Sequence, residues 1–246
     1  MAILPKLVLS LGVPRSGTTF VFNTLRELWA ARGVEFKSVN ANYPETSEFL
    51  RRYGFKRHVL LHAHNVQPEV QRVLDRPDVR AFFNYRDPRD VVVSLMKLHD
   101  YTFETCLRLA EISFEQYRAA RRFASVMFIA YAAVVGEPAR VIEEVADRMG
   151  IPVSAAEIAR VGEATSIEAH RRVMQAVSTD RVPVQIRANP QRLLKESSTH
   201  FITDRHIQSG VDGRWREELS AGQQEVALRR FGPLLVELGY ERSPLA

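Results

Sequence analysis

The chain of 246 residues is 46% hydrophobic and 26% charged, the profile of an ordinary globular protein, and it can form one α/β domain spanning residues 1–246. Its lone cysteine, Cys106, excludes an intramolecular disulfide, suggests no cysteine metal site, and makes a reducing cytoplasm the expected compartment. A net charge of +5 and a pI near 9.5 suit a nucleic acid or a polyanionic cofactor; no segment interleaves Lys and Arg with aromatics, and none approaches the roughly 20 apolar residues of a membrane span, so the cofactor is favoured.

The apolar residues 7–11 predict a first strand, and with Lys6 before them and no small-residue cleavage site after them, no signal peptide is expected. The strand runs into Gly12-Val13-Pro14-Arg15-Ser16-Gly17-Thr18-Thr19, a phosphate-cradling loop opening a helix. In that helix Val21, Leu25, Leu28 and Trp29 recur at helical spacing until Gly33. Residues 34–39, 58–64 and 79–85 predict three more strands. Arg86 ends the last of these; Asp87 then caps a helix with Pro88 at its first position, Asp90 in the positive first turn and Ser94 about two turns along.

Residues 102–123 read mostly helical, and 126–129 predict a fifth strand closing at Tyr131. An amphipathic helix over 138–149 stops at Gly150. Capping boxes stand at Ser154/Glu157 and Ser220/Gln223, the second before a final helix with Val226, Leu234, Leu235 and Leu238 ahead of Gly239. Over 178–200 neither period is clear, which suggests a functional loop or a mobile segment. Strands separated by helices imply a parallel sheet with its ligand at the strands' carboxyl ends.

The loop has P-loop spacing without the lysine. Thr18 stands where the nucleotide triphosphatases place it, and the cation lies within the loop as Arg15. That exchange disfavours ATP hydrolysis and phosphoryl transfer and favours an anion held by amides, hydroxyls and one guanidinium. Gly17 allows close approach of backbone to phosphate, and Ser16, Thr18 and Thr19 offer hydroxyls. His62 and His64 share one face of their strand, and a histidine pKa near 6.5 provides a neutral imidazole that can accept a proton. Adding His58 suggests a metal face, yet no carboxylate has convincing ligand spacing.

The loop resembles the 5′-phosphosulfate loop of the sulfotransferases that use 3′-phosphoadenosine 5′-phosphosulfate (PAPS). Residues 82–95 are similar to that family's 3′-phosphate segment, with Arg86 and Ser94 on its arginine and serine. The resemblance implies a P-loop NTPase-like fold, a three-layer sandwich around a mostly parallel sheet of about five strands. It implies PAPS as co-substrate, adenosine 3′,5′-bisphosphate (PAP) as product and no obligatory metal. Arg15, Ser16, Gly17, Thr18 and Thr19 would hold the 5′ side, and Arg86 and Ser94 the 3′-phosphate. Phe20 matches a stacking aromatic; Tyr131 matches the tyrosine of the family's Tyr-Glu-Asp segment, with Ala132 and Ala133 in place of the acids.

His62-Ala63-His64 falls on the family's Lys-Thr-His, which makes His64 the base and puts His62 on the lysine. Arg15 occupies the loop lysine's place and, always charged, would act electrostatically on the sulfate and the leaving group. Residues 208–215 resemble Arg-Lys-Gly-x-x-Gly-Asp-Trp: Gly210, Gly213 and Trp215 agree, whereas Gln208 and Ser209 replace the two cations. Arg205 or Arg214 could restore the lost charge.

The resemblance implies transfer of a sulfuryl group to a hydroxyl, ahead of an amine, of a small-molecule, lipid or carbohydrate acceptor. Tyr43, Phe49, Tyr53, Phe55, Tyr101 and Phe103 are candidate lining, with core packing as the plainer reading; Arg171, Arg172, Arg181, Arg187 and Arg192 could attract an acidic acceptor or be solvated surface. A P-loop kinase and a non-catalytic nucleotide sensor are the alternatives, the sensor because the carboxyl-terminal clamp is weakened. Oligomeric state is not legible in the sequence.

Overall fold

Strand β1 (Leu7–Gly12) is buried at every position, as a strand must be when both faces of its sheet are covered. In this computed structural model, which describes residues 4–40, 45–53, 56–176, 181–183, 193–197, 202–203 and 211–242, β1 leads through the loop to α1 (Thr18–Ala31). There follow β2 (Phe36–Asn40), α2 (Glu45–Arg52), β3 (His58–Ala63), α3 (Pro68–Leu74), β4 (Val79–Tyr85), α4 (Pro88–His99), α5 (Phe103–Ala120) and β5 (Val126–Ala130). The chain continues with α6 (Tyr131–Gly136), α7 (Pro138–Arg148), α8 (Ala155–Ala164) and α9 (Ile167–Ala176). The remainder is β6 (Arg181–Pro183), β7 (Leu193–Ser197), β8 (Ile202–Thr203), α10 (Trp215–Glu218) and α11 (Ala221–Glu237).

The central sheet has five strands in the order β2-β3-β1-β4-β5, all parallel. Alternation along β1 divides the core: Leu7, Leu9 and Leu11 join one cluster with Leu107, Phe114, Phe231 and Leu235 of α5 and α11, while Val8 joins Phe22, Leu25 and Trp29 of α1 and Val141, Ile142 and Val145 of α7. Helices therefore cover both faces, giving the three-layer α/β sandwich, and all five strands bring their carboxyl ends to one edge.

Several boundaries differ from the sequence reading. The second strand starts at Phe36, after a turn in which Gly33 takes φ 64°. The fifth strand ends at Ala130, and Tyr131 instead opens α6. Residues 178–200 are not one irregular loop where described: β6, β7 and β8 form a small antiparallel sheet, too short for a two-residue period to be read. Both capping boxes are formed, at Ser154/Glu157 and at Ser220/Gln223.

Gly12 is where β1 can admit no side chain. A Cβ there would lie 2.5 Å from Thr18 Cγ2 and 2.7 Å from the Asn84 carbonyl oxygen, and the latter belongs to the sheet backbone and cannot turn aside. Gly12→Ala is expected to lower the unfolding free energy by about 1–3 kcal/mol in urea denaturation. A midpoint equal to the parent's would mean that the loop yields to a methyl group without strain.

Candidate functional site

The carboxyl end of β1 is tied to that of β4. Val13 N–H donates to the Asn84 carbonyl at 2.9 Å, and the Ser16 hydroxyl lies 2.5 Å from the Val13 carbonyl and 3.0 Å from that of Asn84. Ser16 thus uses its hydroxyl inside the fold, leaving its backbone as what it can offer an anion. Arg15 (φ 69°) and Gly17 (φ 86°) adopt the left-handed conformation and turn the chain so that α1 starts at Thr18 with no side-chain cap. Uncapped first-turn amides with the positive end of a 14-residue helix behind them are suited to receive an anion. A Cβ on Gly17 would come 3.2 Å from Tyr131 Cδ2, so α6 backs the loop closely.

Two guanidinium groups converge here. Arg15 Nε donates to Ser94 Oγ at 2.9 Å, which joins the loop to α4. Burial, with the Arg86 charge second, pushes the Arg15 guanidinium down to about 10, so it stays cationic at neutral pH. Arg86, immediately after β4, is buried with its guanidinium carbon 4.0 Å from the Tyr131 ring centroid. Ser94, expected beside Arg86 on one phosphate, accepts from Arg15, and Tyr131 carries the Arg86 cation on its ring. The two expected phosphate sites share one network.

The histidines separate by position along β3. His58, at the amino end, lies 2.8 Å from the Pro5 carbonyl through Nδ1 and edges onto Trp29, far along the strand from the loop. His62 and His64 meet at the other end, their ring centroids 5.0 Å apart. His64 Nδ1 lies 2.8 Å from the Gly12 carbonyl, which can only accept, so Nδ1 carries the proton and Nε2 the lone pair. Burial lowers the His64 pKa, the Gly12 hydrogen bond opposes it, and the Arg15 charge lowers it further. His62 is buried, with Nδ1 3.2 Å from Asn40 Oδ1 and its ring edge-on to Phe22. Among the described residues no group of three or more His, Cys, Asp or Glu could hold a metal ion.

The segment entering α10 closes over Arg86 from the opposite side. Asp90, buried in the first turn of α4, accepts from Gly213 N–H at 2.6 Å and Trp215 N–H at 3.0 Å, and from Arg86 Nη2 at 3.1 Å. Arg86 Nη2 also donates to the Val211 carbonyl at 2.8 Å, and Arg86 Nε to Asp212 Oδ1 at 3.4 Å. Burial and the neighbouring Asp90 carboxylate push Asp212 up to about 6, against the pull of Arg86. Arg89 stacks on Trp215 at 3.7 Å while pairing with Asp87 at 2.7 Å and Glu241 at 2.6 Å, which fastens the chain's last turns to α4. Arg214, a candidate replacement for the missing clamp charge, pairs with Glu218.

Gln208, Ser209 and Gly210 lie outside the described residues, as do Arg205, Arg187, Arg192, Tyr43 and Phe55. Phe20 is partly buried against the α1/α7 core. Phe49 and Tyr53 stack at 5.4 Å, and the Tyr53 hydroxyl donates to the Lys6 carbonyl at 2.8 Å, which places Tyr53 near the start of β1, away from the loop. Tyr101 and Phe103 pack against the core, and Arg171 on α9 pairs with Glu168. Sequence reasoning read Asp90 merely as a first-turn acid and overlooked Asp212; the four-residue spacing of Asp90 from Arg86 across a helix start was the available signal for the first. No helix among the described residues is long and apolar enough to cross a membrane.

Residues 5–239 match the family model described as Sulfotransferase domain. No curated protein sequence matches the chain. Among solved structures, the chain is similar to a retinol dehydratase in complex with androsterone and inactive cofactor PAP (16% identity, TM-score 0.64, 96% of this chain and 82% of that one). It is also similar to mouse sulfotransferase SULT7A1 complexed with PAP (16% identity, TM-score 0.64, 96% of this chain and 85% of that one). At that identity the likeness is one of fold.

Proposed function

The chain belongs to the family of sulfotransferase domains, enzymes of sulfuryl transfer, and from that premise we propose that, as one domain, it moves the sulfuryl group of PAPS to an acceptor hydroxyl and releases PAP. The observation that carries the donor is the pair of converging guanidinium groups: the Arg86 charge is felt at Arg15, beside a helix start that carries no side-chain cap. Such an arrangement is relieved by a ligand with two separated anionic groups, which PAPS is. PAPS supplies an activated sulfate whose leaving group is a phosphate.

The residues then divide the work. The loop over 13–19 and the start of α1 hold the 5′-phosphosulfate, with Arg15 against the oxygens on which charge builds as the bond from sulfur to phosphate breaks. His64 Nε2 takes the acceptor's hydroxyl proton while the acceptor oxygen bonds to sulfur, and the phosphate leaves with the electron pair. His62 stands beside His64 in the strand position that the family gives to lysine. Arg86 and Ser94 anchor the 3′-phosphate, Tyr131 supports Arg86 from below, and Phe20 faces the purine. Gln208, Ser209 and Gly210 would offer the 3′-phosphate neutral donors in place of the family's cations, and no metal is required for any of these steps. The acceptor class that fits is a hydroxyl, ahead of an amine, on a small molecule, lipid or carbohydrate.

A thermal-shift titration with PAP, ADP and ATP plus magnesium tests the donor without the acceptor. PAP at about 100 times its dissociation constant should stabilise the fold by about 2.7 kcal/mol, a shift of roughly 5–10 °C for a chain of this size. ADP should shift it less. A magnesium-dependent shift with ATP and none with PAP would overturn the reading in favour of phosphoryl transfer.

A further inference from the structure

Arg86 already has anionic company. Asp90 faces it at 3.1 Å, but that carboxylate is fully buried and holds the backbone of Gly213 and Trp215, so it acts as the clasp of the carboxyl-terminal segment. Asp212 differs in exposure and in reach: its side chain keeps 30% of its exposure, and its contact with Arg86 Nε is a long 3.4 Å. The other charged or titratable groups felt there are the Arg15 cation and the phenols of Tyr131 and Tyr240, neither phenol ionised near neutral pH. One guanidinium therefore meets two carboxylates before any ligand arrives. A phosphate monoester adds about −1.5 to −2 of charge at neutral pH.

Building on the PAPS reading, we propose that Asp212 is a specificity-determining residue that competes with the nucleotide's 3′-phosphate for Arg86. Its carboxylate occupies the Nε edge of the guanidinium in the free protein, and the 3′-phosphate gains that edge only as Asp212 gives it up. The chain thereby subtracts from its preference for a 3′-phosphorylated nucleotide over one that lacks the group, while the 5′ cradle, centred on Arg15 and the start of α1, is untouched.

Calorimetric titration of PAP and of adenosine 5′-monophosphate into the parent, Asp212→Asn and Asp212→Glu proteins tests this. Removing the charge should tighten PAP about tenfold near pH 7.5 and leave the monophosphate within about twofold, while Asp212→Glu should stay near the parent for both. Unchanged or weaker PAP binding by Asp212→Asn, with the parent still binding PAP, would overturn the competition and make Asp212 a structural partner of Arg86. Equal tightening of both nucleotides would overturn it too, because the effect would not be at the 3′ position. Failure of all three proteins to bind PAP would remove the donor reading itself, and the competition with it.

Discussion

Replacing His64 with alanine is expected to lower kcat for sulfuryl transfer by about 10²–10⁴-fold while PAP affinity stays within about twofold of the parent. The argument is one of tautomer and charge. The Gly12 carbonyl, 2.8 Å from Nδ1, fixes the proton on that nitrogen and presents the Nε2 lone pair, and the depressed pKa keeps the ring neutral. A base whose pKa is lowered is fully competent at pH 7, and the rate it supports falls only as pH drops below the ordinary histidine value of about 6.5. A kcat profile with an acidic limb below that value, absent from the residual activity of the variant, is the accompanying expectation. His64→Asn separates chemistry from packing, because an amide can still donate to the Gly12 carbonyl but cannot accept the acceptor's proton. Loss in both variants identifies a base; loss in alanine with activity kept in asparagine would make His64 a structural residue.

Arg15→Ala should cost both binding and catalysis, lowering PAP affinity and reducing kcat/KM by about 10²–10³-fold. Arg15 is mostly buried, cationic at neutral pH, and joined to α4 through the 2.9 Å bond from Nε to Ser94. Its backbone at φ 69° is equally unfavourable for alanine, so the substitution brings no relief of strain to confuse the result. Arg15→Lys keeps the charge and loses the Nε donor, and it should fall between the two. PAP binding unchanged in Arg15→Ala, measured by calorimetry, would mean that the amides of the loop and of the first turn of α1 hold the anion without the guanidinium.

These two expectations concern adjacent parts of one network. His64 is held by the carbonyl of the last residue of β1, and three residues later the chain presents Arg15, whose guanidinium reaches Ser94 and feels the charge of Arg86. Tyr131 lies between the loop and Arg86, 3.2 Å from where a Gly17 side chain would begin and 4.0 Å beneath the guanidinium. Displacement of Tyr131 would therefore disturb both anion sites together, whereas Asp212 touches the Arg86 side.

The amino-acid order determined what neighbours along the chain can decide. The apolar run at 7–11 with the glycines and Arg15 after it dictated strand, loop and helix start; Asp87-Pro88 after β4 dictated a capped helix, with Asp87 accepting from Arg89 N–H at 2.9 Å. The two-residue period over residues 58–64 placed His62 and His64 on one side, and the capping boxes at Ser154 and Ser220 fixed two helix starts. Each is a rule acting over one turn or one pleat. Tertiary structure alone decided that Ser94 is bound by Arg15 across 79 residues and that Arg86 is flanked by Asp212 across 126. Those pairings follow from the order β3-β1-β4, which sets the β1 loop beside the start of α4, and from Asp90 fastening the α10 segment over both. Periodicity records which face a side chain takes; the charge it meets there depends on which distant strand and helix pack alongside, and no local signal carries that.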